Sequence, residues 1–361
     1  MNILKRSFAI VLTLALLLSC LVGCHQKGEV AVKIGDIEFT SGYYACALVF
    51  ADREARALVE EDLSEKEDTP DEIKYWKYKV EDTEYTKWVE NKTLETLKKI
   101  AALKDLCNKA DVKLDEETQS AADANTDYLW ENYSYSELME KNGVSKDTFK
   151  QYMRDNYLAD AYFEHIYGKD GEKEVPAEDL SKQLSENYVL VNSISVDFDN
   201  LDDDEKAEKK ALLTAYETAL RDGTKTFEEI YLEYNNISAD EHEHEEAEEG
   251  ELVPADYHAT VLGSEDTDYA SDQFETAKAM AVGEVKLVTL KDDAGLVLLV
   301  KKDISADAYY ISQYDTVLRK DIAGDEYEED IEKYGKDMTC DVNKKSTKQF
   351  KIKDIYYPEN A

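Results

Sequence analysis

Proline and glycine are both scarce in this chain of 361 residues, at 4 and 14. So few breakers, with abundant Glu, Lys, Leu and Ala, favour helices. No glycine-rich phosphate loop and no nucleophile elbow is present. Histidine is scarce as well, at 5. A serine or cysteine nucleophile needs a positioned base, most often histidine. His25 lies in an N-terminal tether and His242 and His244 in an acidic run, which leaves His165 and His258. A hydrolase is disfavoured on that ground. Positive charge is also short: 43 basic side chains stand against 81 acidic ones, a formal net charge of −38. That balance excludes a nucleic-acid binder working by phosphate neutralisation, and its direct consequence is a highly solvated surface. Cysteines number five. Apart from Cys20 and Cys24, the odd set Cys46, Cys107 and Cys340 cannot all pair within one chain. Cys46 and Cys107 stand in apolar helical stretches and read as buried free thiols; one disulfide among the three stays open.

The apolar stretch Phe8 to Leu18 follows Lys5 and Arg6 and is too short to cross a bilayer. A basic start, an apolar run and small residues before a cut form a secretory signal. Leu21-Val22-Gly23-Cys24 resembles the bacterial lipobox. The resemblance implies cleavage before Cys24 and a diacylglyceryl thioether on its sulfur. Residues 1–23 are then the signal peptide and 24–29 the lipidated tether. Cys20 fits the pattern less well. Loss of Lys5 and Arg6 leaves a net charge of about −40, which repels anionic headgroups, so the lipid must supply the membrane affinity. The expected location is the extracytoplasmic face of the cell membrane, in a single-membrane envelope.

Val30 to Phe39 alternates around Gly35-Asp36 and predicts a hairpin. Thr40 or Ser41 caps a helix to about Glu61. An acidic loop with Pro70 follows, then a long helix through Leu94, Leu97, Ile100 and Cys107, and another over 115–140. Ser145 caps a helix with Phe149, Tyr152, Met153, Tyr157 and Ile166 on one stripe. Residues 168–176 read as a linker. Beyond it come a helix at 177–187, a strand at 189–196, a helix through Leu212 to Leu220, a short helix at 227–234, a helix at 274–281, a strand from Val285 and a closing strand at 295–301. That order describes a compact α+β domain. A helical tail begins at Ala306. Tyrosine is frequent, at 25, which suits either promiscuous contact surfaces or helix packing.

The second unit resembles the parvulin family of prolyl isomerases. The matching runs are Val191 to Val196, Asp222-Gly223 with Phe227-Glu228-Glu229-Ile230, Phe274 to Met280 with Val282-Gly283-Glu284-Val285, and Gly295 to Lys301. Val32 to Asp36 with the following helices resembles the helical chaperone domain of PrsA/SurA-type foldases. The implied fold class is α+β: a mostly helical chaperone lobe from residues 30–170 with an inserted parvulin-like α+β domain at 177–303. A C-terminal segment at 304–361 packs on the N-terminal domain. The implied partners are unfolded or extended exported polypeptides, with no cofactor; the resemblance leaves a homodimer open.

Parvulins stabilise a twisted prolyl amide in an apolar cup with two facing histidines. Here the first histidine position falls on Ser193 and the last on Val297, and the usual cysteine or aspartate aligns near Ile237. Phe274 keeps the aromatic wall. Ser193, Phe274 and Val297 are therefore the peptide-groove candidates, no catalytic residue is assigned, and weak or absent isomerase activity is expected. One alternative is an active peptidyl-prolyl isomerase with relocated polar groups. The other is a metal-binding lipoprotein using His242 and His244 in the acidic loop, with His258 as a third ligand if the loop folds back.

Overall fold

The computed structural model describes residues 28–66, 70, 72–238, 252–263, 269–305 and 308–358. The signal peptide, Cys20, Cys24, His25, His242 and His244 lie outside the described residues. The fold is α+β and mostly helical. The chain divides into two compact units: one runs to Ile166 and resumes at Glu326, the other is Tyr167–Asp325.

The first unit opens with β1 (Val30–Ile34) and β2 (Ile37–Thr40), antiparallel, with Ile34 opposite Ile37. Gly35 makes the turn at φ +56°, a region open to glycine at no steric cost. Thr40 then caps α1 (Ser41–Glu65), its hydroxyl accepting from the Tyr43 N–H at 3.3 Å. Helix α1 buries Tyr43, Tyr44, Cys46, Leu48, Val49 and Val59. A minimal hairpin, β3 (Lys79–Val80) with β4 (Thr83–Glu84), leads into α2 (Tyr85–Ala110), which buries Trp88, Val89, Leu97, Ile100 and Cys107. Asp111, at φ +55°, stops α2, and the Val112 N–H closes on the Cys107 carbonyl at 2.9 Å.

The single helix expected over 115–140 is two: α3 (Glu116–Asn132) and α4 (Tyr135–Lys141). Ser134, at φ +58°, breaks the continuity, because a left-handed residue cannot continue a right-handed helix. Helix α5 (Lys146–Tyr167) follows the Ser145 cap, whose hydroxyl accepts from the Thr148 N–H at 3.2 Å. On its expected stripe Phe149 and Tyr152 are buried, while Met153, Tyr157 and Ile166 are half-buried.

In the second unit, α6 (Ala177–Asn187) runs into β5 (Tyr188–Asp197). Helix α7 (Asp203–Arg221) starts with a capping box of Asp202 and Glu205, and α8 (Phe227–Asn235) with one of Thr226 and Glu229. Then come β6 (Ala259–Gly263), α9 (Tyr269–Ala279), β7 (Val285–Thr289) and β8 (Gly295–Lys302). The four strands form one antiparallel sheet in the order β6-β5-β8-β7. Strand β6 was not expected. Of its five residues only Leu262 is buried, so this edge strand carries almost no hydrophobic alternation. Gly295 begins β8 against the Val196 carbonyl, where a Cβ would collide.

The last long helix, α10 (Ala308–Asp337), belongs to the second unit up to Asp325 and to the first from Glu326. The second unit therefore extends past the expected 177–303 on both sides. Arg319 explains part of this. It is 5% exposed and donates from Nη1 to the carbonyls of Tyr167 (2.8 Å) and Val175 (3.0 Å), while Nε meets Asp315 at 2.7 Å. The stretch read as a linker is thus held at both ends by one guanidinium.

The C-terminal segment closes the first unit. Strand β9 (Cys340–Val342), a second strand with no readable signal, pairs with β1 (Val32 opposite Val342). Helix α11 (Lys344–Thr347) follows under an Asn343 cap. Tyr356 and Asn142 exchange two hydrogen bonds at 2.9 and 3.0 Å, and Tyr357 donates to Asp52 at 2.9 Å. Cys46 and Cys107 are buried and Cys340 half-buried, all three as free thiols.

Candidate functional site

The period-two alternation of the sheet sorts its side chains into two faces. Ile194, Val196, Leu296 and Leu298 pack with Leu213, Tyr216, Phe227 and Ile230 of α7 and α8. Val189, Val191, Val297 and Leu299 pack with Phe274, Ala277 and Met280 on the α9 side, joined by Leu262 and Leu290. Ser193 stands opposite Leu299 and Ser195 opposite Val297, so both hydroxyls belong to the α9 face. Ser193 is half-buried and Ser195 exposed.

Ser193 and Val297 therefore share one face of the sheet, and Phe274 packs on that face from α9. Val297 is fully buried and Phe274 is 5% exposed in the same cluster. Lys301 fixes this arrangement by donating to the carbonyls of Lys278 (3.1 Å) and Met280 (2.7 Å), which caps the end of α9. Its ammonium is held below the usual lysine range by burial and by the nearby Lys278 charge.

Neither described histidine joins that face. His165 is exposed on α5. The His258 ring lies 4.2 Å from the ring of Tyr231 and 6.4 Å from that of Phe227, both on α8. Ile237 belongs to the cap after α8, its N–H on the Leu232 carbonyl at 2.9 Å. It follows the helix of the opposite face.

One polar group escaped the sequence. Asn192, 1% exposed, points to the α8 side and donates to Asp256 Oδ2 at 2.9 Å. Lys302 reaches the same oxygen at 2.6 Å, and the His258 N–H donates to Oδ1 at 3.0 Å. Burial alone would raise the Asp256 carboxyl, but the bonds from Lys302, Asn192 and the His258 N–H hold it below the usual carboxylate range. Asn192 Oδ1 has no hydrogen-bond partner among the described residues. The only advance signal was a polar residue within an apolar strand. This group lies across the sheet from Phe274 and supplies nothing to that cup.

The first unit carries an open groove of about 900 Å³ between α2, α5, the end of α10 and β9. Leu94, Ile100, Leu103, Ala159 and Val342 give it apolar lining, and Lys92, Lys98, Lys99 and Lys336 add charge. Among the described residues no three His, Cys, Asp or Glu side chains converge as a metal site. No described helix is long and apolar enough to cross a membrane.

No family model matches the chain, and no curated protein matches it. Among solved structures it is similar to the foldase PrsA of Streptococcus pneumoniae str. Canada MDR_19A, at 15% identity and TM-score 0.35 over 72% of this chain and 84% of that one. It is similar to PrsA of Lactococcus lactis at 15% identity and TM-score 0.37, over 90% of this chain and 99% of that one. With PrsA from Bacillus subtilis the identity is 14% and the TM-score 0.30, over 70% of this chain and 84% of that one. Likeness at this level says nothing of mechanism.

Proposed function

We propose that this protein is a membrane-tethered, extracytoplasmic chaperone that holds unfolded or extended exported polypeptides. Its sheet unit is a parvulin-like domain with little or no prolyl isomerase activity. The observation that carries the reading is the α9 face: Phe274 stands over a buried Val297, beside Ser193 and Leu299, with no imidazole among its described residues. Phe274 and Val297 are themselves buried, so this face would meet a client at its rim, by the half-buried Ser193. Stabilising a twisted amide needs preorganised polar groups where its charge changes, and valine methyls cannot supply them. The open groove of the first unit adds a second apolar surface for chain segments. Tethering at Cys24 would hold both surfaces near emerging chains.

A working isomerase is the runner-up, favoured by the Ser193 and Ser195 hydroxyls on the same face as Phe274. One preparation of the chain starting at Gln26 separates the two. Proline cis/trans isomerisation would be followed on a short peptide, and aggregation of an unfolded client in parallel. The chaperone reading expects suppression of aggregation with isomerisation near the uncatalysed rate. Isomerisation well above that rate, lost in Ser193→Ala, would overturn it in favour of the enzyme.

A further inference from the structure

A chain with a net charge of −38 carries one dense run of lysines: Lys344, Lys345, Lys348, Lys351 and Lys353, against Asp341 and Asp354. All five are exposed. Four of them line a single cleft of about 650 Å³, which Glu90 enters. The run does not end there. Lys353 Nζ lies 5.9 Å from the centre of the Trp76 ring, and Trp76 is 38% exposed. Lys74, Lys77 and Lys79, also exposed, flank Trp76; the acids around them are Glu72 beside Lys74, Glu60 on the Tyr75 hydroxyl and Glu84 across the hairpin from Lys79. Arg56 holds the two segments together, its guanidinium 4.4 Å from the Tyr75 ring and 3.9 Å from the Tyr357 ring.

This patch lies where the chain leaves toward its N-terminus. Asn343, next to Lys344, donates from Nδ2 to Glu29 Oε1 at 3.2 Å and to the Val30 carbonyl at 3.1 Å. Its N–H closes on the Ala31 carbonyl at 2.9 Å. Cys24 is four residues before Gly28, a reach of at most about 14 Å.

We propose that the lysine patch and Trp76 form a docking surface for the anionic headgroups of the bilayer in which the Cys24 lipid is inserted. The inference rests on the reading of Cys24 as the lipidated residue. Opposite charge draws the patch to anionic lipid while the acidic remainder is repelled, and an amphipathic indole suits the headgroup region. The lipid thus fixes attachment, and the patch fixes which side of the first unit faces the membrane.

The full lipidated chain would be reconstituted into vesicles of phosphatidylcholine alone or with one-third phosphatidylglycerol, both containing brominated lipid. Trp88 and Trp130 are buried and serve as background. Quenching of Trp76 should be about threefold stronger on the anionic vesicles. It should fall to the neutral level in K344Q/K345Q/K348Q/K351Q/K353Q, and in about 0.5 M salt, where the Debye length is short. Equal quenching on both vesicles, or no effect of the five substitutions, overturns the proposal. The lipid reading is tested apart, by loss of membrane partition in Cys24→Ala. If that loss is not seen, the chain starting at Gln26, bound through an N-terminal histidine tag to a nickel-chelating lipid, decides the surface by the same vesicle comparison.

Discussion

Two carboxylates sit inside the core of the first unit, whereas the buried polar side chains among the described residues of the sheet unit are an amide and a guanidinium. Asp52 is fully buried and accepts from Arg56 (2.8 Å), Tyr85 (2.8 Å) and Tyr357 (2.9 Å). Asp155, 3% exposed, accepts from Tyr43 and Lys104, both at 2.8 Å. In the sheet unit Asn192 and Arg319 play the corresponding part. The difference follows from geometry. Helices meeting side by side leave gaps that long tyrosine side chains span, so a hydroxyl can reach an inward carboxylate. A sheet between two helix layers satisfies its backbone internally and leaves its faces for aliphatic packing. Tyr43, Tyr85 and Tyr357 are thus the hydroxyls that solvate the buried acids of the first unit.

Alkaline pH should separate the two units most. Burial, then Asp155, pushes the Tyr43 phenol well above its ordinary range; burial, then Asp52, does the same for Tyr85, and burial, then Cys107, for Tyr327. A phenol that keeps its proton when folded and loses it near pH 10 when unfolded contributes stability below pH 10 that is lost as pH rises above it. At pH 11 this amounts to about 1.4 kcal/mol per tyrosine, or about 4 for the three. Urea unfolding at pH 8 and pH 11, with phenolate absorbance at 295 nm, should show these phenols ionising only on unfolding of the first unit. An early, gradual titration of all tyrosines would erase the contrast.

Asp52→Ala comes next. It strands the Arg56 charge and two tyrosine hydroxyls, and Arg56 is partly exposed, so the cost should be about 3 kcal/mol. The urea midpoint reads it, and proteolysis near Tyr357 should accelerate because the tail loses its anchor. Arg319→Ala makes the matching test in the sheet unit. Two carbonyls lose a charged donor, a loss of about 2 kcal/mol, and Arg319→Lys should rescue only part of it, since an ammonium lacks the planar fork. A larger loss than in Asp52→Ala would reverse the ranking. The smallest effect is expected for Asn192→Val. It deletes one hydrogen bond to Asp256 but also an unpartnered buried oxygen, so stability should change by less than about 1 kcal/mol. A drop of several kcal/mol in urea unfolding would show that the Asp256 group is a working part of the sheet unit.

The hairpin at Gly35, the Thr40 and Ser145 caps, β5 and β8 were legible because each is written in neighbouring residues as a period or a cap. Strands β6 and β9 were not: one is an edge with a single buried residue, the other three polar-flanked residues recruited by β1. The helix break at Ser134 depends on one left-handed residue with no glycine to announce it. At the candidate site, Ser193, Phe274 and Val297 were proposed from motif order alone. That Ser193 and Val297 share one face follows from the register of β5 on β8, and that Asn192 turns away from them follows from the same parity.

The sequence by itself determined the capped helices, the Gly35 hairpin, the strands β5 and β8, and the charge balance, since these are properties of residues counted along the chain. Tertiary structure alone decided that Tyr357 meets Asp52, that Arg319 clasps both ends of the 168–176 stretch, and that the lysine run meets Trp76 beside the departing N-terminus. Those pairs are separated by up to about three hundred residues, and no periodicity extends that far. They form because buried polar groups must find partners wherever the packed elements bring them.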